Sequence, residues 1–385
     1  MLAAAWALVS CQKGAPASNL PEWAIGPFVR PAEVCDTSAG NGQLDARPVI
    51  LPDAGPVFDC PMLGMPVKWA EGATFNPAAT LCDGRIAVLF RSEDDLNQGI
   101  GTRTSRLGLA WSDDGFSMQI EPAPVLFPSE DSQKEYEWPG GCEDPRIAMT
   151  ADGLYVCLYT QWNRVCPRLA VATSRDLRTW VKHGPAFAQA WEGRFRDIPT
   201  KSASIVTELC DGALVIHRFE GDGPFAGKYV MYWGEAFVNV AVSDNLTDWT
   251  PLLAEDGSLL RVLEPRDGYF DSLLTECGPP AVLTPAGIVL IYNGKNARDE
   301  GRRDPLVGAE AYCPGEALFD ASDPVRFLDR LDAPVLQPEA EFERTGQYAA
   351  GTIFSEGLVY RDGRWYLYYG CADSRVGVAV CDRGL

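Results

Sequence analysis

An all-β chain folded as a five-bladed β-propeller is what the pattern of short apolar runs predicts. Three observations carry this. An Asp-Gly or Ala-Gly pair separates two apolar runs at five places, Asp83-Gly84, Asp152-Gly153, Asp211-Gly212, Ala286-Gly287 and Asp362-Gly363. Such pairs between alternating runs signal hairpins, because Gly accepts the positive φ that a tight turn needs. The units around them return at roughly 60 to 75 residues, the period of an internal repeat and not of a single sheet. Finally, 16 Phe, 13 Tyr and 11 Trp stand beside 37 Gly and 29 Pro, a mixture suited to many short strands and tight turns.

In chain order, the first unit reads as strands over 74–80, 85–90 and 106–111, closed by Ser112-Asp113-Asp114-Gly115. The second has strands at 145–149, 154–159 and 168–173, ending in a turn at 174–180. Strands at 203–208, 213–217, 227–232 and 237–242 form the third, again before a polar turn at 243–249. The fourth covers 280–283 and 288–292, with a further strand near 309–313. Strands at 351–360, 364–369 and 376–381 make the fifth, and residues 28–51 are expected to supply its outermost strand and close the ring. Recurrence of a short-stranded sheet at this period favours a propeller over a two-sheet sandwich, and no βαβ alternation is present. One catalytic domain over 21–385 is therefore expected, preceded by a leader and tether over 1–20. Within that leader, Leu8-Val9-Ser10-Cys11 resembles a lipoprotein cleavage box, though the basic n-region of a signal peptide is missing. An exported lipoprotein anchored by lipid at Cys11 is favoured over a cytoplasmic location.

Charge and cysteine usage narrow the chemistry. The formal charge of -20 argues against nucleic acid, which needs a basic stripe, and is neutral toward sugars. The 12 cysteines form no CxxC pair and there are two histidines, so no metal or other cofactor is expected. Most cysteines sit in apolar runs and read as small buried hydrophobes.

The densest polar motif is Gly141-Cys142-Glu143-Asp144-Pro145-Arg146, at the start of an apolar run. Pro145 disfavours the helical region for Asp144, which is expected to be extended at a strand mouth. Taken by itself, the motif also fits a structural salt bridge at a turn. Each unit, however, delivers polar residues at the same phase, an acid or amide among them: Asn76 and Arg91, then Asp144 and Trp162, Lys201 and Glu235, Glu276 and Tyr292, and Tyr348 and Asp373. Several carboxyls in one cavity cannot all ionise at their ordinary values, and such a set can divide acid and base work. Cleavage of a glycosidic bond suits this best, with Trp162, Tyr232, Trp233, Tyr292 and Tyr348 stacking on sugar faces. Aromatic strand ends are equally ordinary core, and Asp373 could cap a turn. Glu235 and Glu276 fit a structural role less well, since each interrupts an aromatic or Gly/Pro-rich segment.

Together with Phe75-Asn76-Pro77-Ala78, Gly278-Pro279-Pro280 and Tyr369-Gly370-Cys371-Ala372-Asp373-Ser374, this motif resembles glycoside hydrolase family 130. The resemblance implies a five-bladed propeller acting on β-mannosides, with Asp144 as general acid working through the mannose 3-hydroxyl. It implies that Asn76, Arg91 and Asp373 hold the nonreducing mannose. Within the family, phosphorylases gather Arg, Lys and His around phosphate, whereas hydrolases place carboxylates near the nucleophile. Glu235 and Glu276 point to the β-1,2-mannosidase branch and an inverting hydrolase, either acid serving as base. Lys201, Arg168, Arg146 and His217 keep a mannosyl phosphorylase as the alternative, and a non-catalytic glycan-binding propeller is the third reading.

Overall fold

The computed structural model describes residues 20–36, 45–96, 99 and 101–384. The leader and tether expected over 1–20, with Cys11, lie outside the described residues except for Leu20. Five antiparallel sheets follow one another along the chain and pack as the blades of a propeller. Blade one pairs Ala73–Cys82, Arg85–Glu93, Ser105–Ser112 and Gln119–Ile120 in sequence. Blade two does the same with Gly141–Met149, Tyr155–Trp162, Pro167–Ser174 and Val181–Pro185. The third starts from Ala203–Cys210, whose two halves pair separately with Ala213–Ile216 and Tyr229–Trp233, and continues through Val238–Ser243. Leu274–Cys277 and Ala281–Thr284 share the inner position of the fourth, followed by Gly287–Lys295, Tyr312–Phe319 and Phe327–Arg330. The fifth holds Ile353–Arg361, Arg364–Cys371 and Arg375–Cys381.

The hairpin signals work through backbone sign. At Asp83-Gly84, Asp211-Gly212 and Asp362-Gly363 both residues have positive φ, the conformation of the turn that matches strand twist. Between blades, apolar side chains fill one seam per adjacent pair. Leu89, Leu109, Ile147 and Tyr159 lie between the first and second blades. Val88, Phe90, Tyr368 and Val378 lie between the first and fifth, so burial of apolar surface closes the ring. Outside the fifth blade, Val29 bridges Val380 and Ile50 bridges Val376. That segment is clasped by polar groups: Arg30 makes a two-bond contact with Glu343 at 2.7 Å, and Glu316 accepts from the backbone N–H groups of Ile25 and Gly26.

In the fourth blade, the strand expected near 309–313 runs instead from Tyr312 to Phe319. Gly315 is there because the Phe270 and Tyr292 rings fill its side-chain space: a Cβ would sit 2.4 Å from Phe270. A second correction concerns Asp144. It is not extended but has φ 47°, inside a β-bulge opposite Tyr159. Pro145 excludes the right-handed region, and the bulge takes the left-handed one. The extra residue breaks the in–out alternation and turns the carboxyl into the central cavity. Asn76, also before a proline, repeats the device at φ 46°. Each such residue costs about 1–3 kcal/mol of local strain, offset by the surrounding packing.

Gly141 permits the inner strand of blade two to meet the third strand of blade one, Ser105–Ser112, at this point. Its φ is 120°, and a Cβ would lie 2.1 Å from the Ser105 carbonyl oxygen. Gly141→Ala is expected to destabilise the chain by about 2–4 kcal/mol, from overpacking plus backbone strain. Chemical denaturation measures this; a midpoint equal to the parent's would contradict it.

Candidate active site

The bulged inner strands open onto a cavity of about 360 Å³ in the propeller's centre. Asn76, Arg91, Asp144, Trp162, Lys201, Glu235, Glu276, Tyr348 and Asp373 all line it, so nine of the sequence-derived candidates from all five blades meet there. The size suits a small polar ligand.

Arg91 organises one wall. Its guanidinium lies 3.0 Å from Asp144 Oδ1, 2.7 Å from Glu93 Oε1 and 2.8 Å from Glu143 Oε1. Asn76 Nδ2 donates to the same Asp144 oxygen at 2.8 Å. Burial favours a neutral carboxyl at Asp144, but Arg91, Lys201, Arg146 and the Asn76 bond outweigh it and bring it down to about 2. For Glu143 the balance reverses: burial, with Asp144 and Glu93 adding like charge, outweighs Arg91 and pushes it up to about 7. Of the two neighbouring carboxyls, Glu143 therefore holds a proton more readily than Asp144. Asp373, raised to about 6 mainly by burial, completes this wall.

Lys201 organises the other wall. Its Nζ is 3.4 Å from Glu235 Oε2 and 3.9 Å from Glu276 Oε1. Glu276 is buried and accepts a 2.5 Å hydrogen bond from Ser202 Oγ, while the Glu235 side chain is 43% exposed. Burial lifts Glu276 to about 7 against the pull of Lys201, with Glu235 adding to the rise. Lys201 itself is held well above its ordinary value: burial opposes its charge, but Glu276, Asp144 and Glu235 prevail.

Some candidates lie elsewhere. Arg146 is buried behind the cavity and pairs with Glu356 at 2.8 Å. Tyr292 is wholly buried, with its hydroxyl donating to Asp271 Oδ2 at 2.7 Å, because its alternation phase points into the seam between blades three and four. Tyr232 and Trp233 are likewise core side chains. Arg168 pairs with Asp197, and His217 sits beside Glu208 in a separate groove on the third blade. Phe75, Tyr312, Gln347 and Phe354 line the cavity without having been singled out. Tyr312 and Phe354 make an edge-to-face pair, and Tyr312 packs likewise against Tyr348, giving one aromatic wall. Only the corrected strand start at Tyr312 would have pointed to that residue.

Over residues 64–384 the chain matches a family model described as beta-1,4-mannooligosaccharide phosphorylase. The chain belongs to glycoside hydrolase family 130. Among its family relatives, the 1,2-beta-oligomannan phosphorylase of Thermoanaerobacter sp. (strain X514) is 29% identical over 345 residues, 88% of this chain and 96% of that protein. Beta-1,2-mannobiose phosphorylase of the same organism is 28% identical over 327 residues, 82% and 92% of the two chains. A solved structure described by the words "The GH130 family of mannoside phosphorylases contains glycoside hydrolases that target beta-1,2 mannosidic linkages in Candida mannan" shares 54% identity, with a TM-score of 0.87 over 94% of this chain and 95% of that one.

The expectation of an inverting hydrolase is corrected here. The four curated family-130 relatives are all phosphorylases. Two ionised carboxylates at Glu235 and Glu276 would by themselves repel a phosphate dianion. In the structure Lys201 stands beside both, and burial brings Glu276 to about 7. The wall is therefore not uniformly anionic at neutral pH.

Proposed function

We propose that this chain splits the terminal bond of β-linked mannosides, 1,2-linked foremost, by passing the mannosyl unit to inorganic phosphate. The observation that carries the reading is Lys201, a recessed ammonium facing Asp144 across the cavity beside a Glu276 that burial keeps largely protonated below about pH 7. Lys201 offers a positive donor to one phosphate oxygen, and neutral Glu276 offers an O–H to another. The names of the curated relatives support both phosphate and the β-1,2 linkage. In the reaction, a phosphate oxygen forms a bond to the anomeric carbon as the glycosidic bond breaks. The leaving oxygen takes the proton that Asp144 delivers. Asp144 first has to gain that proton, and a sugar that covers the carboxyl and excludes water raises its proton affinity. Glu143, linked to Asp144 through Arg91, is the neighbouring store.

Product analysis by NMR on β-1,2-mannobiose, with and without phosphate, tests this. The expected products are α-mannose 1-phosphate and mannose, formed only with phosphate. Equal release of free mannose in phosphate-free buffer would overturn the proposal.

A further inference from the structure

Arg146 stands two residues from Asp144, yet it faces away from the cavity and is 2% exposed. Its guanidinium joins three blades. Nη1 donates to the Asp144 carbonyl at 3.1 Å, in the second blade. Nη2 donates to the Cys277 carbonyl at 2.8 Å, and Nε lies 3.4 Å from the Gly278 carbonyl, both in the fourth. Glu356, in the fifth, brings its Oε1 to 2.8 Å from Nη1. Cys277 directly follows Glu276, so one rigid planar group spans the backbone of both acids that face each other across the cavity.

Glu356 is also set in place. It is fully buried at the bulge between Ser355 and Gly357. Asn293 of the fourth blade accepts from the Ser355 N–H at 2.8 Å and donates to the Ser355 carbonyl at 3.0 Å, fixing the residue before Glu356. Apart from the ion pair, neither carboxylate oxygen of Glu356 has a hydrogen-bond partner among the described residues. A carboxyl so placed destabilises the fold unless something requires the charge that it faces. Well-packed apolar residues would fill the same volume at no loss of stability. What they could not supply is the fork of N–H donors to three carbonyls.

We infer that Arg146 and Glu356 are a positioning pair that sets the separation and aim of Asp144 and Glu276. Arg146 acts through the backbone carbonyls, and Glu356 orients Arg146. The inference rests on the reading that Asp144 and Glu276 are the groups that work on the mannoside, whichever acceptor they use.

The test is the double variant Arg146→Met/Glu356→Leu, which removes both charges and keeps the volume. It is expected to melt near the parent temperature, with kcat for bond cleavage lowered about 100-fold and KM within about threefold, as a misplacement near 1 Å costs. Parental kcat in a folded double variant would overturn the inference. Should the double variant not fold, Glu356→Gln keeps shape and replaces the carboxyl that faces Arg146. Its kcat is expected to fall about tenfold with a shifted pH profile of kcat, and an unchanged kcat and profile would overturn the role of Glu356. Because kcat is read as bond cleavage with any acceptor, a failure of phosphate dependence leaves this result intact. If the parent cleaves no mannoside, the function proposed above falls, and a crystal structure of whichever variant folds decides positioning. The Asp144 carboxyl is expected to move by about 1 Å relative to Glu276, and an unmoved pair overturns the inference.

Discussion

Asp144→Asn is expected to lower kcat about 1,000-fold, near the middle of the range for losing a positioned proton donor. KM for the mannoside is expected to stay within about threefold, since general-acid catalysis acts on the transition state and not on ground-state binding. Asparagine keeps the shape of the side chain, and its carbonyl oxygen can still accept from Asn76 Nδ2 and Arg91 Nη1, now 2.8 and 3.0 Å from Asp144 Oδ1. The bulge and its positive φ are tolerated as well, because asparagine visits the left-handed region readily. What disappears is the exchangeable carboxyl proton. The expectation is demanding because Asp144 sits at about 2 in the free enzyme, held down against burial by Arg91 and Lys201. Its donor role requires that bound sugar reverse this balance. Steady-state kinetics on β-1,2-mannobiose would settle it; retention of a tenth or more of parental kcat would reject Asp144 as the donor.

Lys201→Met is expected to raise KM for phosphate about 100-fold and to leave KM for the mannoside nearly unchanged. Two unit charges 4 Å apart interact by about 4 kcal/mol at an effective dielectric constant of 20, and partial exposure and replacement by water reduce that to about 2–3 kcal/mol. The companion group gives the response a pH signature. Below about 7, Glu276 is neutral and donates to a phosphate oxygen; above it, the carboxylate repels the dianion. Phosphate affinity is therefore expected to weaken as pH rises through 7 in the parent. In Glu276→Gln that slope should be missing. Phosphate's own titration is common to both proteins and cancels in the comparison. A phosphate KM that Lys201→Met does not alter would place the acceptor elsewhere.

The blade plan was readable from the chain because hairpins are local: Asp83-Gly84 turns back on itself whatever the rest of the molecule does. One displaced strand, Tyr312–Phe319, runs past Gly315, which leaves room for a distant ring, Phe270. Nine candidate site residues reached the cavity because residues at one phase of each blade face the same axis. Tyr292 and Arg146 did not, and the reason is again packing. A strand residue one position out of phase faces the seam, and a guanidinium near unpaired carbonyls turns toward them.

Repetition, alternation and turn chemistry are carried by neighbours along the chain, so the number of blades and the approximate place of the site belong to the sequence alone. Protonation states do not. Glu143 and Asp144 reach Arg91, and Glu235 and Glu276 reach Lys201, only through folding, and depth in the ring sets which of them keeps a proton. Charge in a low-dielectric cavity is a property of the assembled neighbourhood, and that is why the acceptor side was misread until the five blades were closed around it.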